Sequence, residues 1–102
     1  MFKTIPISEV DYYIENGYDM MLIDLRNPAS YKRAHISGAV NIPYEELEQR
    51  ISQLPKDKIL VFYCSRGGQS MMACRYLARM GYSVVDVASG IAFYRGKYLI
   101  RG

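Results

Sequence analysis

Residues 64–70 have the types and the spacing best suited to chemistry in this sequence. Cys64 ends the longest apolar run, residues 59–64, and Ser70 stands six residues later, where it is predicted to cap a helix. A turn between a strand and a helix can point several backbone N–H groups at one anion, and the helix N-terminus adds positive potential. Such a site stabilises a thiolate relative to a thiol, which predicts that Cys64 is a nucleophile at neutral pH.

The residues between Cys64 and Ser70 complete this candidate substrate-binding loop: Ser65, Arg66, Gly67, Gly68 and Gln69. Its two glycines allow the backbone to curl tightly around the sulfur. Arg66 is the positively charged side chain of the loop, and we expect it to point to solvent. The alternative interpretation of Cys64 is structural, because a cysteine at the end of an apolar strand is often a small buried hydrophobic residue.

Strand and helix patterns alternate around this loop. Continuous apolar runs at residues 20–23, 58–63 and 83–87 predict buried strands, and residues 40–42 predict a shorter one. Helical patterns cover residues 8–17, 28–34, 44–54 and 70–80, and a last short helix is expected near residues 93–94. This order is typical of an α/β fold, with a mostly parallel sheet and helices on both faces. Ligands bind such sheets at the carboxyl ends of the strands, so residues 24–27, 64–70 and 88–90 are expected to meet.

The composition excludes several other classes of protein. The chain has 102 residues, a net charge of +3 and a hydrophobic fraction of 50%, which predicts one folded domain over residues 1–102 with a core at about 4–96. No basic stripe suggests nucleic acid binding, and no apolar run approaches the roughly 20 residues of a membrane span. The N-terminus has no signal-peptide pattern, so a cytoplasmic location is expected. Two cysteines make neither a disulfide framework nor a metal site.

Two separated motifs match one known family. Cys64, Gly67 and Ser70 fit a Cys-x-x-Gly-x-x-Ser loop, and residues 24–26, 31 and 35–43 fit an upstream signature in order and spacing. Over residues 4–96 the sequence resembles the rhodanese family of sulfurtransferases. The resemblance implies a rhodanese-like fold with a central five-stranded sheet.

The same resemblance implies sulfur transfer without a metal or an organic cofactor. Cys64 would take a sulfane sulfur from thiosulfate, a polysulfide or a protein persulfide, and pass it from a Cys64 persulfide to cyanide or a thiol. The protein is expected to be a monomer or a weak dimer. Many thiosulfate-using relatives carry arginine at the position of Gln69, so thiosulfate is expected to be a poor donor here.

Three other functions are alternatives to sulfur transfer. Cysteine phosphatases use a Cys-x-x-x-x-x-Arg cradle, but Ser70 occupies the arginine position, which argues against phosphatase activity. A non-catalytic module that only binds a partner would not need the intact loop. A thiol redox sensor would form a disulfide between Cys64 and Cys74, although Cys74 is predicted to be a packing residue.

Further residues are expected to support the loop rather than to react. Asp24 is predicted to pair with Arg26 and position the loop, while Arg26 could also contribute to anion binding. His35 is expected to be a hydrogen-bonded structural residue, because an ionised thiolate needs no general base. Tyr94 is predicted to lie in the core, and the tail after Gly96 is expected to lack an ordered element.

Overall fold

A parallel sheet built from separated parts of the chain organises the protein. The computed structural model describes residues 2–102. Its strands are β1 (Lys3–Pro6), β2 (Met20–Asp24), β3 (Ala34–Ile36), β4 (Val40–Asn41), β5 (Ile59–Tyr63), β6 (Val84–Ala88) and β7 (Leu99–Arg101). Five of them form one sheet in the order β1-β6-β5-β2-β4, with every neighbouring pair parallel. β5, the strand that leads to Cys64, therefore lies at the centre of the sheet.

The helices follow the predicted order with different boundaries. They are α1 (Val10–Glu15), α2 (Pro28–Arg33), α3 (Leu47–Arg50) and α4 (Gly68–Arg79). Short 3₁₀ turns cover Ile7–Glu9, Tyr44–Glu46, Ile51–Gln53 and Ile91–Phe93. The helix predicted over residues 44–54 is thus a short α-helix between two 3₁₀ turns, and the helix expected near residue 93 is a single 3₁₀ turn. Asn27 caps α2 by accepting a hydrogen bond from the Ser30 N–H at 2.8 Å.

Helices cover both faces of the sheet, as predicted. Side chains alternate along β5, so Leu60 and Phe62 contribute to one buried cluster and Val61 and Tyr63 to another. The first cluster includes residues of α3 and α4, and the second includes residues of α1. The α/β fold class predicted from the sequence is therefore confirmed. Within residues 2–102, no helix has the length and apolar character needed to cross a bilayer.

The chain after Gly96 is ordered, contrary to the expectation from the sequence. β7 pairs antiparallel with β3, with Ile36 opposite Leu99 and Ala34 opposite Arg101. The Ser37 N–H also donates to the Tyr98 carbonyl at 2.7 Å. The prediction was wrong because the tail pairs with a distant strand. Leu99 lies 63 positions after its partner Ile36, and the three-residue strand β3 has no strand pattern of its own in the sequence.

Candidate active site

The loop after β5 holds the sulfur of Cys64 by its backbone. The Cys64 side chain is buried, and its Sγ accepts hydrogen bonds from the Gly67 N–H at 3.1 Å and the Ser70 N–H at 3.4 Å. α4 begins at Gly68, so both donors lie at or next to its N-terminus. Donated hydrogen bonds and the positive end of the helix both favour negative charge on this sulfur.

Gly67 makes the tight turn that starts α4. Its φ of 102° lies in the left-handed region, and a Cβ there would stand 3.0 Å from the Ser89 backbone nitrogen. The sequence predicted that Ser70 caps this helix. The prediction was wrong, because the helix starts at Gly68 and Ser70 lies within its first turn. Arg66 and Gln69 are both exposed.

The turn after β6 packs directly against the cysteine loop. The Ile91 N–H donates to the Cys64 carbonyl at 2.9 Å, and the Ala92 N–H donates to the Ser65 carbonyl at 3.0 Å. Gly90 permits this approach, because a Cβ at its position would lie 2.3 Å from the Ser65 carbonyl oxygen. Residues 64–70 and 88–90, which the sequence predicted to meet, are therefore in backbone contact.

Asp24 and Arg26 form an ion pair at the end of the neighbouring strand. The carboxylate of Asp24 is fully buried, and it accepts hydrogen bonds from the Arg26 backbone N–H at 2.9 Å and from Arg26 Nη2 at 2.8 Å. Arg26 Nη2 also donates to the Ala34 carbonyl. In the described residues neither side chain hydrogen-bonds to the loop, although the Leu25 N–H between them donates to the Tyr63 carbonyl at 2.9 Å. The pair therefore stabilises the end of β2, where the chain hydrogen-bonds to the last residue of β5 before Cys64.

His35 lies in β3 and contacts Tyr31. Its Nδ1 is 2.9 Å from the Tyr31 carbonyl oxygen, and the two rings stack with their centroids 3.9 Å apart. No hydrogen bond joins His35 to Cys64 among residues 2–102. Tyr94 is buried in the core cluster of α1, where it was expected.

Cys74 lies in the middle of α4, where it is fully buried and forms no disulfide. Burial in the apolar core raises the pKa of its thiol well above the ordinary value, and the nearby carboxylate of Asp86 raises it further. These surroundings favour the neutral thiol. The two cysteines belong to the same buried cluster. Backbone N–H groups contact the sulfur of Cys64, whereas the sulfur of Cys74 is buried near the carboxylate of Asp86.

Asp86 is a buried residue of the site that the sequence reasoning missed. Its Oδ1 accepts a hydrogen bond from Ser70 Oγ at 2.7 Å, and its Oδ2 lies 3.4 Å from Thr4 Oγ1. Asp86 thereby fixes the residue whose N–H points at Cys64 Sγ. The available signal was one acidic residue inside the apolar strand pattern of residues 84–88.

The fold and this loop define an α/β domain that presents a cysteine at the carboxyl edge of a parallel sheet. A rhodanese-like domain protein from Staphylococcus aureus has the same fold, with a TM-score of 0.88 over 99% of both chains at 21% identity. The reduced CoADR-RHD of Bacillus anthracis matches at a TM-score of 0.78 and 37% identity, over 87% of this chain and 16% of that one.

Sequence comparison gives the family. The model of the rhodanese-like domain matches residues 8–96, and the chain belongs to this family. It is 38% identical over 92 residues to a sulfurtransferase of Allochromatium vinosum, covering 89% of this chain and 86% of that protein. It is 41% identical over 71 residues to the thiosulfate sulfurtransferase PspE of Escherichia coli, covering 68% of each. The resemblance inferred from the two motifs is confirmed.

Proposed function

We propose that this protein is a sulfurtransferase that carries a sulfane sulfur on Cys64. The observation that supports this most directly is the convergence of the Gly67 and Ser70 N–H groups on Cys64 Sγ at the N-terminus of α4. Relatives named sulfurtransferases, at 38% and 41% identity, support the same activity. Among the described residues, no group of three or more His, Cys, Asp or Glu side chains is placed to hold a metal ion.

The reaction has two nucleophilic steps. The Cys64 thiolate attacks the outer sulfur of a donor such as thiosulfate, the S–S bond of the donor breaks, and sulfite leaves with the bonding electrons. This step forms the Cys64 persulfide. A thiolate or cyanide then attacks the outer sulfur, and Cys64 leaves as a thiolate. Backbone donors around Sγ stabilise the anionic forms without taking a proton, so the cycle uses no side-chain base.

The surroundings of Ser70 argue against phosphate chemistry in the same loop. A cysteine phosphatase would place an arginine at this position to bind the phosphate. Here the Ser70 hydroxyl is buried and donates to the Asp86 carboxylate. A buried acid in place of a cation disfavours a phosphate dianion.

Mass spectrometry of the intact protein tests the proposed function. After treatment with polysulfide and removal of excess reagent, the wild-type protein is expected to gain the mass of one sulfur atom, located at Cys64. Cys74→Ser is the matched control and is expected to gain it equally. A Cys64→Ser variant that still gains the sulfur, or a wild-type protein that never does, contradicts the proposal and favours a non-catalytic module.

Gln69 is proposed to make thiosulfate a weak donor. Its exposed side chain lies on the loop and has no charge, so Gln69→Arg would add attraction for the dianion at the site. We expect thiosulfate turnover to rise about fivefold, the effect of roughly 1 kcal/mol from one partly screened charge. Gln53→Arg makes the same substitution at an exposed position in the 3₁₀ turn Ile51–Gln53 and should leave turnover unchanged. Equal rates for wild type and Gln69→Arg would disprove this role.

A further inference from the structure

A groove of about 440 Å³ runs along α4. We call it the α4 groove, and its lining residues come from two segments, residues 44–48 and 72–79. They are Tyr44, Glu45, Leu47, Glu48, Met72, Ala73, Arg75, Tyr76 and Arg79. Its volume lies within the range of about 300–1,000 Å³ that is typical of sites for small molecules.

One end of the α4 groove lies at the same sheet edge as Cys64. Met72 follows Ser70 by two residues on α4, about one helical turn from the start of the helix at Gly68. On the other wall, the Tyr44 N–H donates to the Leu25 carbonyl at 2.9 Å, which holds Tyr44 at the carboxyl end of β2. The groove therefore opens beside the cysteine loop and extends away from it.

The two walls of the groove carry opposite charges that do not pair. Glu45 and Glu48 lie on one wall, and Arg75 and Arg79 lie on the other. All four side chains are exposed, and within residues 2–102 none takes part in a salt bridge. A ligand that bears both a carboxylate and an ammonium group would satisfy both walls at once.

The surface between the charged walls is apolar. Met72 is 51% exposed and Tyr76 is 45% exposed, while the buried side chains of Leu47 and Ala73 complete the lining. Leu47 and Ala73 belong to the same core cluster as Cys64, so the base of the groove is continuous with the packing around the nucleophile. This surface can hold the aliphatic part of a small ligand.

We propose that the α4 groove binds a small zwitterionic peptide thiol as the acceptor of the Cys64 sulfur. This inference rests on the proposed sulfurtransferase function. The acceptor's carboxylate lies at Arg75 and Arg79, its ammonium group lies at Glu45 and Glu48, and its thiol reaches the loop at the open end. Arginine favours carboxylate ligands because its planar fork can bind both oxygens.

The transfer balances without an added oxidant or reductant. The acceptor thiol loses its proton to solvent, and its thiolate attacks the outer sulfur of the Cys64 persulfide. A new S–S bond forms on the acceptor, the S–S bond to Cys64 breaks, and Cys64 leaves as a thiolate. The product is the persulfide of the small thiol.

Selectivity between two acceptors tests the groove. Protein loaded with one sulfur is mixed with glutathione, which is zwitterionic, or with 2-mercaptoethanol, which is uncharged apart from its thiol. Loss of the sulfur is followed by mass. In the double variant Arg75→Gln/Arg79→Gln, the half-saturating concentration of glutathione is expected to rise about tenfold, which corresponds to about 1.4 kcal/mol. The reaction with 2-mercaptoethanol is expected to stay unchanged.

Two further variants complete the experiment. Glu45→Gln/Glu48→Gln is expected to weaken glutathione in the same direction by removing the partner of its ammonium group. Arg33→Gln, an exposed arginine at the end of α2, is the matched control and should leave both acceptors unchanged. If both double variants keep the wild-type preference between the acceptors, the α4 groove is not the acceptor site.

A binding measurement separates this inference from the proposed function. S-methylglutathione cannot accept sulfur, so its titration into unloaded protein, followed by NMR, reports the groove alone. We expect shifts of the amide signals of residues 44–48 and 72–79 that disappear in Arg75→Gln/Arg79→Gln. Absence of these shifts overturns the inference even if Cys64 loads sulfur. Their presence with no sulfur loading supports the groove and contradicts the sulfurtransferase proposal.

Discussion

The two cysteines of this chain have different neighbours, from which we expect different reactivity. Cys64 Sγ receives hydrogen bonds from two backbone N–H groups at the start of α4. Cys74 lies inside that helix, and burial together with the charge of Asp86 raises the pKa of its thiol. The sequence shows two chemically equal residues, so the difference comes from their place in the fold.

Selective alkylation is the first expected consequence. In native protein at about pH 8, iodoacetamide should label Cys64 only, because Cys74 stays a neutral thiol inside α4 while Cys64 lies in the loop that follows β5. The folded protein holds the proton of Cys74 more tightly than the unfolded chain does. The contribution of this thiol to the free energy of unfolding is therefore fully present below its ordinary pKa and is lost as the pH rises from that value toward the raised one. Intact mass should show one adduct before denaturation and two after it. Two adducts on native wild type, or one on native Cys64→Ser, would contradict this assignment.

The residues that support the loop were only partly predictable. Asp24 and Arg26 could be paired from the sequence because they are two positions apart at a strand end, and the structure joins them at 2.8 Å. The bond between Ser70 and Asp86 could not be predicted in the same way. It depends on β6 lying beside β5 in the sheet, and that strand order is not encoded in any local pattern.

The cysteine loop is shaped by a second turn as much as by its own residues. The turn after β6 donates two backbone hydrogen bonds to the carbonyls of Cys64 and Ser65. Gly90 has a φ of 64° and a ψ of 179°, a region that is essentially confined to glycine. The loop is therefore held from both sides by backbone, which leaves little room for a side chain.

Replacing Gly90 with alanine should lower the free energy of unfolding by more than the positive φ of this position alone would cause. The new Cβ would meet the Ser65 carbonyl oxygen at 2.3 Å, and we expect a loss of about 3 kcal/mol in the free energy of unfolding. Gly17→Ala is the control, since Gly17 has a φ of 63° with nothing within 4 Å, and should cost about 1 kcal/mol. Denaturant unfolding measures both. Equal losses would show that the contact with Ser65 does not matter.

Element prediction succeeded where the apolar pattern was long and failed where tertiary contacts decide. The predicted strand at residues 58–63 corresponds to β5, because five consecutive apolar residues fit a strand buried on both faces. β1 was missed, since only Ile5 among its four residues is buried and it lies at the edge of the sheet. Residues 44–54 have helical spacing, but the segment forms two 3₁₀ turns, one on each side of the four-residue helix α3.

The C-terminal segment packs against α1 and β3 and joins distant parts of the chain. The Tyr94 hydroxyl donates to Asp11, and the Tyr98 hydroxyl donates to Glu15 at 2.9 Å. Burial, together with the hydrogen bond to Asp11, raises the pKa of Tyr94 to about 12, so this contact persists well above neutral pH. The segment also brings β7 to the otherwise unpaired edge of β3.

Deleting residues 97–102 should therefore lower stability without changing the chemistry of Cys64. The deletion removes the three residue pairs of the β3–β7 ladder and uncovers the half-buried contacts of Tyr98 and Leu99 with the core. We expect a loss of about 2 kcal/mol, or roughly 8–16 °C in Tm for a domain of this size. Arg101→Gln keeps the backbone pairs and should leave Tm unchanged. Because the residues paired in this ladder, 34–36 and 99–101, are separate from residues 64–70, the truncated protein should alkylate Cys64 at the wild-type rate below its Tm. An unchanged Tm, or a slowed Cys64, would show that β7 has a different role from closing this edge.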